Sequence, residues 1–122
     1  MKTDTVADMK KVFKKAAQII RKEPEYVHNA FSRLVGRTNC YCTLGAVGKA
    51  IGGTFCKKET DGWIRVFGWR VKELLENRLR NSYSVRKTLA QLSDPAAPVD
   101  KKQSLKAIAL FNRSILKKEG GK

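Results

Sequence analysis

The histidine and cysteine residues offer the clearest chemistry in this chain, because all four lie between positions 28 and 56. Three thiolates and one imidazole would complete a tetrahedral zinc site. Its ligands would be His28, Cys40, Cys42 and Cys56. The spacing argues against zinc, since the first pair reads Cys-x-Cys, whereas structural zinc sites usually begin with Cys-x2-Cys or a longer spacer. We predict small core cysteines and no cofactor, and keep zinc as an alternative.

A cysteine nucleophile is a second chemical possibility for the same residues. Cys40 or Cys42 would precede a helix, where the helix dipole and nearby cations lower the pKa of a thiol. His28 would then act as the base, and Asp94 or Asp61 would orient its ring. Nothing in the sequence brings these groups within hydrogen-bond distance. We therefore predict no catalytic residue and keep a small zinc- or cysteine-dependent enzyme as the second alternative function.

The charge of the chain is its strongest indication of a partner. Lys and Arg number 26 against 11 Asp and Glu, which gives a formal charge of +15 on 122 residues. Such an excess repels itself in a compact fold, and a polyanionic partner offsets that cost. The partner classes are DNA, RNA, an anionic membrane surface and an acidic protein, and we favour nucleic acid.

Two stretches concentrate the cations. In the predicted first helix, a generic solvated face explains the lysines at least as well as binding does. Over positions 65–87, seven Lys or Arg residues meet two acids. Arginine beside exposed aromatic rings suits phosphate contact and base stacking, although the tryptophans could equally belong to the core. The predicted polyanion-binding residues are Lys10, Lys11, Lys14, Arg65, Arg70, Lys72, Arg78, Arg80, Arg86 and Lys87, and the predicted stacking or anchor residues are Trp63, Trp69 and Tyr83.

Apolar periodicity predicts a mainly α protein, a compact bundle of five or six helices. Thr5 caps a first helix that runs to about Lys22, shortly before Pro24. Further helices are expected over 25–34, 41–51 and 69–80, and Ser84 and Asp100 cap the last two. Residues 54–67 fit either one short β-hairpin or the start of the next helix, because a turn signal there precedes a short alternating segment.

The domain organisation is simple. We expect a single globular domain over 1–122 with a short flexible end at 117–122. No apolar run reaches the roughly 18 residues of a membrane span, and the first residues lack the apolar segment of a secretory signal. An odd number of cysteines without an export signal favours reduced thiols. We predict a cytoplasmic protein, or one in the host-cell cytoplasm if a phage encodes it.

The segment Cys42-Thr43-Leu44-Gly45-Ala46, followed by Leu92-Ser93-Asp94 and a closing amphipathic helix, resembles a family of small uncharacterised bacterial and phage proteins. Their pattern is Cys-x-x-Gly-Ala on a helix, a later Leu/Trp-Asn-Asp turn and a final helix. The likeness covers residues 26–116, with serine where the pattern has asparagine. It implies a small helical fold and a phage or mobile-element origin, and it carries over no activity.

These observations favour a non-enzymatic basic protein that binds a polyanion, DNA or RNA, through phosphates with little sequence specificity, since no helix-turn-helix or other nucleic-acid motif is legible. The first alternative is a phage or mobile-element protein that inhibits or redirects a host protein or ribonucleoprotein complex. Its affinity would depend on a few buried anchors as well as on charge. We expect charge reversal at Arg78, Arg80 and Arg86 to weaken nucleic-acid binding more than reversal at Lys10 and Lys11.

Overall fold

The first helix, α1 (Val6–Lys22), forms because its apolar residues recur every three or four positions and its ends carry matching signals. The hydroxyl of Thr5 accepts a hydrogen bond from the backbone N–H of Asp8 at 3.0 Å, which caps the helix as predicted. The apolar stripe faces the core: Met9, Phe13, Ala16 and Ile20 are buried.

A computed structural model describes residues 5–28, 33–52, 61–94 and 96–116, without the side chains of 33, 34, 39 and 61–69. These ranges form five helices and one two-stranded hairpin, which confirms a mainly α bundle. After α1 the elements are β1 (Arg33–Val35), β2 (Thr38–Cys40), α2 (Thr43–Ile51), α3 (Asp61–Arg78), α4 (Tyr83–Ser93) and α5 (Lys101–Arg113).

One hydrophobic core joins the helices. α1 packs against α2 and α5, α2 also contacts α3, and α5 also contacts α4. The ring centroids of Phe13 and Phe111 lie 6.0 Å apart, and both side chains are fully buried. Lys101, at the opposite end of α5, reaches Glu23 just beyond α1. These two contacts make α1 and α5 antiparallel.

The helix expected over 25–34 is wrong where the structure describes it, because residues 25–28 are irregular and a hairpin begins at Arg33, whereas 29–32 lie outside the described ranges. β1 and β2 pair antiparallel with Val35 opposite Thr38, which leaves a two-residue turn. Gly36 takes φ +64°, as the first central residue of a type II′ turn does. A residue without Cβ tolerates this conformation, and the glycine therefore reverses the chain instead of ending a helix.

The structure decides the ambiguous segment in favour of helix from residue 61 onward. α3 begins at Asp61, so a hairpin over 54–67 is wrong for its second half, and residues 54–60 lie outside the described ranges. The physical reason is that the helical pattern is longer than the strand pattern. Phe67, Val71, Leu75 and Leu79 recur every four residues, and this helical spacing outweighs the alternation over the five residues 63–67.

The caps of the last two helices were predicted with mixed success. Ser82, two residues before the predicted Ser84, caps α4 by accepting a hydrogen bond from Val85 N–H at 3.2 Å. Asp100 caps α5 as expected, and Gln103 returns the bond in a capping box. Within the described part of the chain, no helix is long and apolar enough to cross a membrane.

Candidate functional site

The end of α5 is tied to the loop before α4. Leu79 and Ile115 form an antiparallel bridge. On either side of it, Arg80 N–H donates to the carbonyl of Ser114 at 2.7 Å, and Leu116 N–H donates to the carbonyl of Arg78 at 3.0 Å. The backbone of exposed Arg80 is thereby held beside Ser114, the residue that follows exposed Arg113 at the end of α5.

α4 has one buried side and one cationic side. Val85, Leu89 and Leu92 are buried in the core. Tyr83 is 70% exposed at the start of the helix, and Arg86 and Lys87 follow it by three and four residues, also exposed. Residues at these spacings lie on one helix face, with Cβ atoms about 5–6 Å apart. The helix therefore presents an aromatic ring and two cations to solvent together.

α5 lies between α1 and α4 in the packing, and these three helices hold most of the net positive charge, +11 of the formal +15. They carry six, two and four Lys or Arg residues respectively, against a single acid, Asp8. All of these cations except Lys101 are exposed. We call the exposed set the cationic layer: Lys10, Lys11, Lys14, Lys15, Arg21, Lys22, Arg86, Lys87, Lys102, Lys106 and Arg113.

α3 differs, because it carries nearly as many acids as cations. The helix carries four Lys or Arg residues and three Asp or Glu residues. Lys72 Nζ lies 3.8 Å from Glu76 Oε1, one turn further along. Arg70 is exposed and three residues from exposed Glu73. Its net charge is therefore close to zero, unlike that of the cationic layer.

The remaining residues predicted on α3 are not all presented to solvent. Arg78 is half-buried, and its Nε and Nη2 atoms are enclosed without a hydrogen-bond partner among the described residues. The side chains of Trp63, Arg65 and Trp69 lie outside what the structure describes. Tyr83 is therefore the one predicted stacking residue whose side chain can be placed.

The cysteines that the structure describes are core residues, as predicted. Cys40 and Cys42 are both buried free thiols, and Cys56 lies outside the described ranges. His28 Nε2 contacts the backbone carbonyl of Asp94 at 2.6 Å, so this nitrogen carries the proton. Across residues 5–28, 33–52, 61–94 and 96–116, no three His, Cys, Asp or Glu side chains are grouped to hold a metal ion.

The activation that a nucleophilic thiol would require is absent at Cys42. Its Sγ caps α2 by accepting a hydrogen bond from Gly45 N–H at 3.4 Å, so the position at a helix N-terminus is as predicted. Burial nevertheless raises the pKa of the Cys42 thiol to about 11. The N–H groups of Gly45 and Leu44 lower that pKa by less, and the carboxylate of Glu23 raises it further. Desolvation dominates, which leaves this thiol protonated at neutral pH.

A buried glutamate joins three helix ends through its side chain and its backbone carbonyl. Glu23 follows α1 and is 4% exposed. Its Oε2 accepts from the backbone N–H of Tyr41, just before α2, and its carbonyl accepts from Lys101 Nζ at the start of α5, both at 2.7 Å. Burial raises the pKa of Glu23 to about 7, against the lowering effects of Tyr41 N–H and Lys101. Its Oε1 is enclosed without a hydrogen-bond partner among the described residues.

A hydroxyl chain continues from this junction. Tyr26 Oη is hydrogen-bonded to Thr43 Oγ1 at 2.9 Å and accepts from Thr43 N–H at 3.2 Å. Thr43 Oγ1 in turn is bonded to Ser104 Oγ, and both of these residues are buried. Burial raises the pKa of Tyr26, so the phenol stays protonated and can donate. The chain fixes the starts of α2 and α5 against each other.

Two groups of residues were missed from the sequence. The cations of α5, Lys102, Lys106 and Arg113, could have been found, because thirteen residues without an acid are visible in the chain. The burial of Glu23 had no signal, since a glutamate before Pro24 at a helix end normally faces water.

No protein-family model, curated protein or solved structure matches the chain. The likeness carried by the Cys42–Ala46 segment thus stays a prediction. In the structure Gly45 and Ala46 are buried in α2, which packs against α1.

Proposed function

We propose that the protein binds nucleic acid through phosphate contacts made by the cationic layer, with little sequence specificity and no chemical reaction. The observation that carries this proposal is the charge of α1, α4 and α5, twelve cations against one acid. Nucleic acid is favoured over other partners because it is the polyanion with the densest regular charge, one per about 1.7 Å of duplex axis.

The charge is unevenly distributed, which argues against a role in solubility alone. A protein that needs only solubility mixes both signs over its surface, as α3 does here. Three helices that carry twelve cations and one acid repel one another in the folded state, and a bound polyanion offsets that repulsion. The bridge between Leu79 and Ile115 adds Arg80 to the same end of α5 as Arg113.

The proposed recognition is mainly electrostatic. The layer consists largely of lysines on flexible stems, which neutralise phosphates as point charges. Base-edge readout requires an element docked in a groove with side chains held in fixed positions. Low sequence specificity follows from this composition.

The proposal is tested by two matched charge reversals, Arg86→Glu in the cationic layer and Arg70→Glu on α3. Both arginines are exposed and lie in helices, and the two substitutions change the net charge by the same amount. Binding of a fluorescent oligonucleotide at about 50 mM salt is measured by anisotropy. One lost phosphate contact weakens binding about tenfold there, because each contact releases about 0.7–0.9 counterion.

We expect this tenfold loss of affinity for Arg86→Glu. For Arg70→Glu we expect a change of less than about threefold, because Arg70 lies on a helix that also carries acids. Equal losses of affinity in the two variants would mean that the net charge of the protein attracts the oligonucleotide and that no particular surface binds it. Absence of binding by the unaltered chain at low salt would refute the proposal. A protein partner that stays bound to the chain in a pull-down from nuclease-treated lysate would favour the inhibitor function instead.

A further inference from the structure

We propose that Tyr83 is a base-stacking platform that makes the cationic layer prefer single-stranded nucleic acid to duplex, an inference that rests on the proposed function. The notable feature is the exposure of an aromatic ring between the cation of the preceding loop and the two cations of α4 in sequence. Tyr83 is 70% exposed, and Arg80, Arg86 and Lys87 are exposed around it in sequence.

The position of Tyr83 in α4 keeps its ring out of the core. The side chains of this helix that pack inward are Val85, Leu89 and Leu92. Tyr83 precedes the first of them and follows the capping residue Ser82, whose hydroxyl is bonded to Val85 N–H. The cap is made by Ser82, so the Tyr83 ring takes no part in it. Both the start of the helix and its packing are thus secured by other residues.

Arg86 and Lys87 lie one turn along the helix from Tyr83, at positions i+3 and i+4. Side chains at these spacings share a face, with Cβ atoms about 5–6 Å apart. A nucleotide carries its base and its phosphate on one sugar. A base stacked on the ring therefore brings a phosphate within reach of these long cationic side chains. Arg80 supplies a further cation on the N-terminal side of the ring.

This arrangement discriminates between strand forms for a physical reason. In a duplex, both faces of each base are covered by its neighbours, and contact with a protein ring requires unstacking. In a single strand the base faces are accessible, and every base has a π face, so stacking adds affinity without sequence preference. The phosphate contacts serve both forms alike, whereas the ring serves single strands alone.

The experiment compares one labelled oligonucleotide alone and annealed to its complement, with the full chain at about 50 mM salt. We expect tighter binding of the single strand. Tyr83→Ala should weaken that binding about 5- to 150-fold, the range for one stacked base, and change duplex binding less than about twofold. Tyr83→Phe should retain single-strand binding, because it keeps the π face.

Two further variants separate stacking from other losses. Tyr83→Leu keeps an apolar side chain without a flat ring and should behave like the alanine variant. Leu116→Ala removes the other large apolar side chain that is exposed in the described ranges, at 42%, and should leave both affinities unchanged. Circular dichroism checks that the helical content is the same in all four variants.

The ways in which the proposal could fail are distinguishable. Binding of both strand forms with equal affinity, or an equal loss for both in Tyr83→Ala, would overturn the stacking platform while leaving the phosphate contacts in place. Single-strand binding by Tyr83→Leu as tight as that of the unaltered chain would overturn it too. Absence of binding to either form would overturn the proposed function, and this inference with it.

Discussion

Tyr41 donates its backbone N–H to Oε2 of Glu23 at 2.7 Å, and this bond joins the end of α1 to the start of α2. The acceptor is a carboxyl group with only 4% of its residue surface exposed. Desolvation disfavours its ionised form more strongly than the N–H and Lys101 favour it, so its pKa rises to about 7. Glu23 therefore changes charge near neutral pH inside the fold.

The first prediction concerns the pH dependence of stability. The pKa of Glu23 is about 7 in the folded protein against an ordinary 4.5. A raised carboxyl pKa stabilises the fold at low pH, and this contribution is lost as the pH rises from about 4.5 through about 7. Glu23→Gln keeps an acceptor for Tyr41 N–H without the titration. At pH 8 we expect the variant to be more stable by roughly 3 kcal/mol.

Urea unfolding at several pH values provides the measurement. The free energies of unfolding of the two proteins should approach each other near pH 4.5, diverge as the pH rises to about 7, and differ by a constant amount above it. A difference that stays constant with pH would show that Glu23 has an ordinary pKa in the fold.

The second prediction concerns thiol reactivity. Burial raises the pKa of Cys42 to about 11, and the thiolate is the reactive form. Treatment of the folded protein with iodoacetamide at pH 8, followed by peptide mass mapping, should leave Cys42 unmodified. The same treatment in denaturant should modify it completely. Rapid modification of Cys42 in the folded protein would contradict its burial and would revive a nucleophilic role.

The third prediction distinguishes two serines at the start of α4. Ser82 caps the helix through its bond from Val85 N–H, whereas Ser84 is exposed within the first turn. Ser82→Ala should cost about 1 kcal/mol of unfolding free energy, and Ser84→Ala should change it by less than about 0.5 kcal/mol. Urea denaturation of the two variants measures both values, and the reverse order would place the cap at Ser84.

The helices that were predicted well are those in which the apolar periodicity extends over many residues and a clear capping residue precedes the helix. α1 has six buried apolar residues and the capping residue Thr5, and α5 has Asp100 with a periodic apolar face, so local signals agree with tertiary packing. The hairpin was missed because strands of three residues carry too little pattern to oppose the helical spacing of 25–34. The turn at Gly36 reverses the chain and allows the two short strands to pair.

The candidate site was predictable in part. Charge and the positions of Arg80, Tyr83, Arg86 and Lys87 were legible from the sequence. The joining of the α4 loop to the end of α5 was not, because the bridge between Leu79 and Ile115 spans distant parts of the chain. The burial of Glu23 likewise depends on two helix starts that meet only in three dimensions.

The salt dependence of nucleic-acid affinity tests the central claim most directly. The association constant of the full chain for a single-stranded oligonucleotide is measured from about 50 to 300 mM salt. Four or more phosphate contacts predict a slope of log K against log salt of about −3 or steeper, at roughly −0.7 per contact. Arg86→Glu should make this slope less steep by roughly 0.7, the contribution of one contact. A slope near zero, or no binding at the lowest salt, would contradict a phosphate-binding layer on α1, α4 and α5.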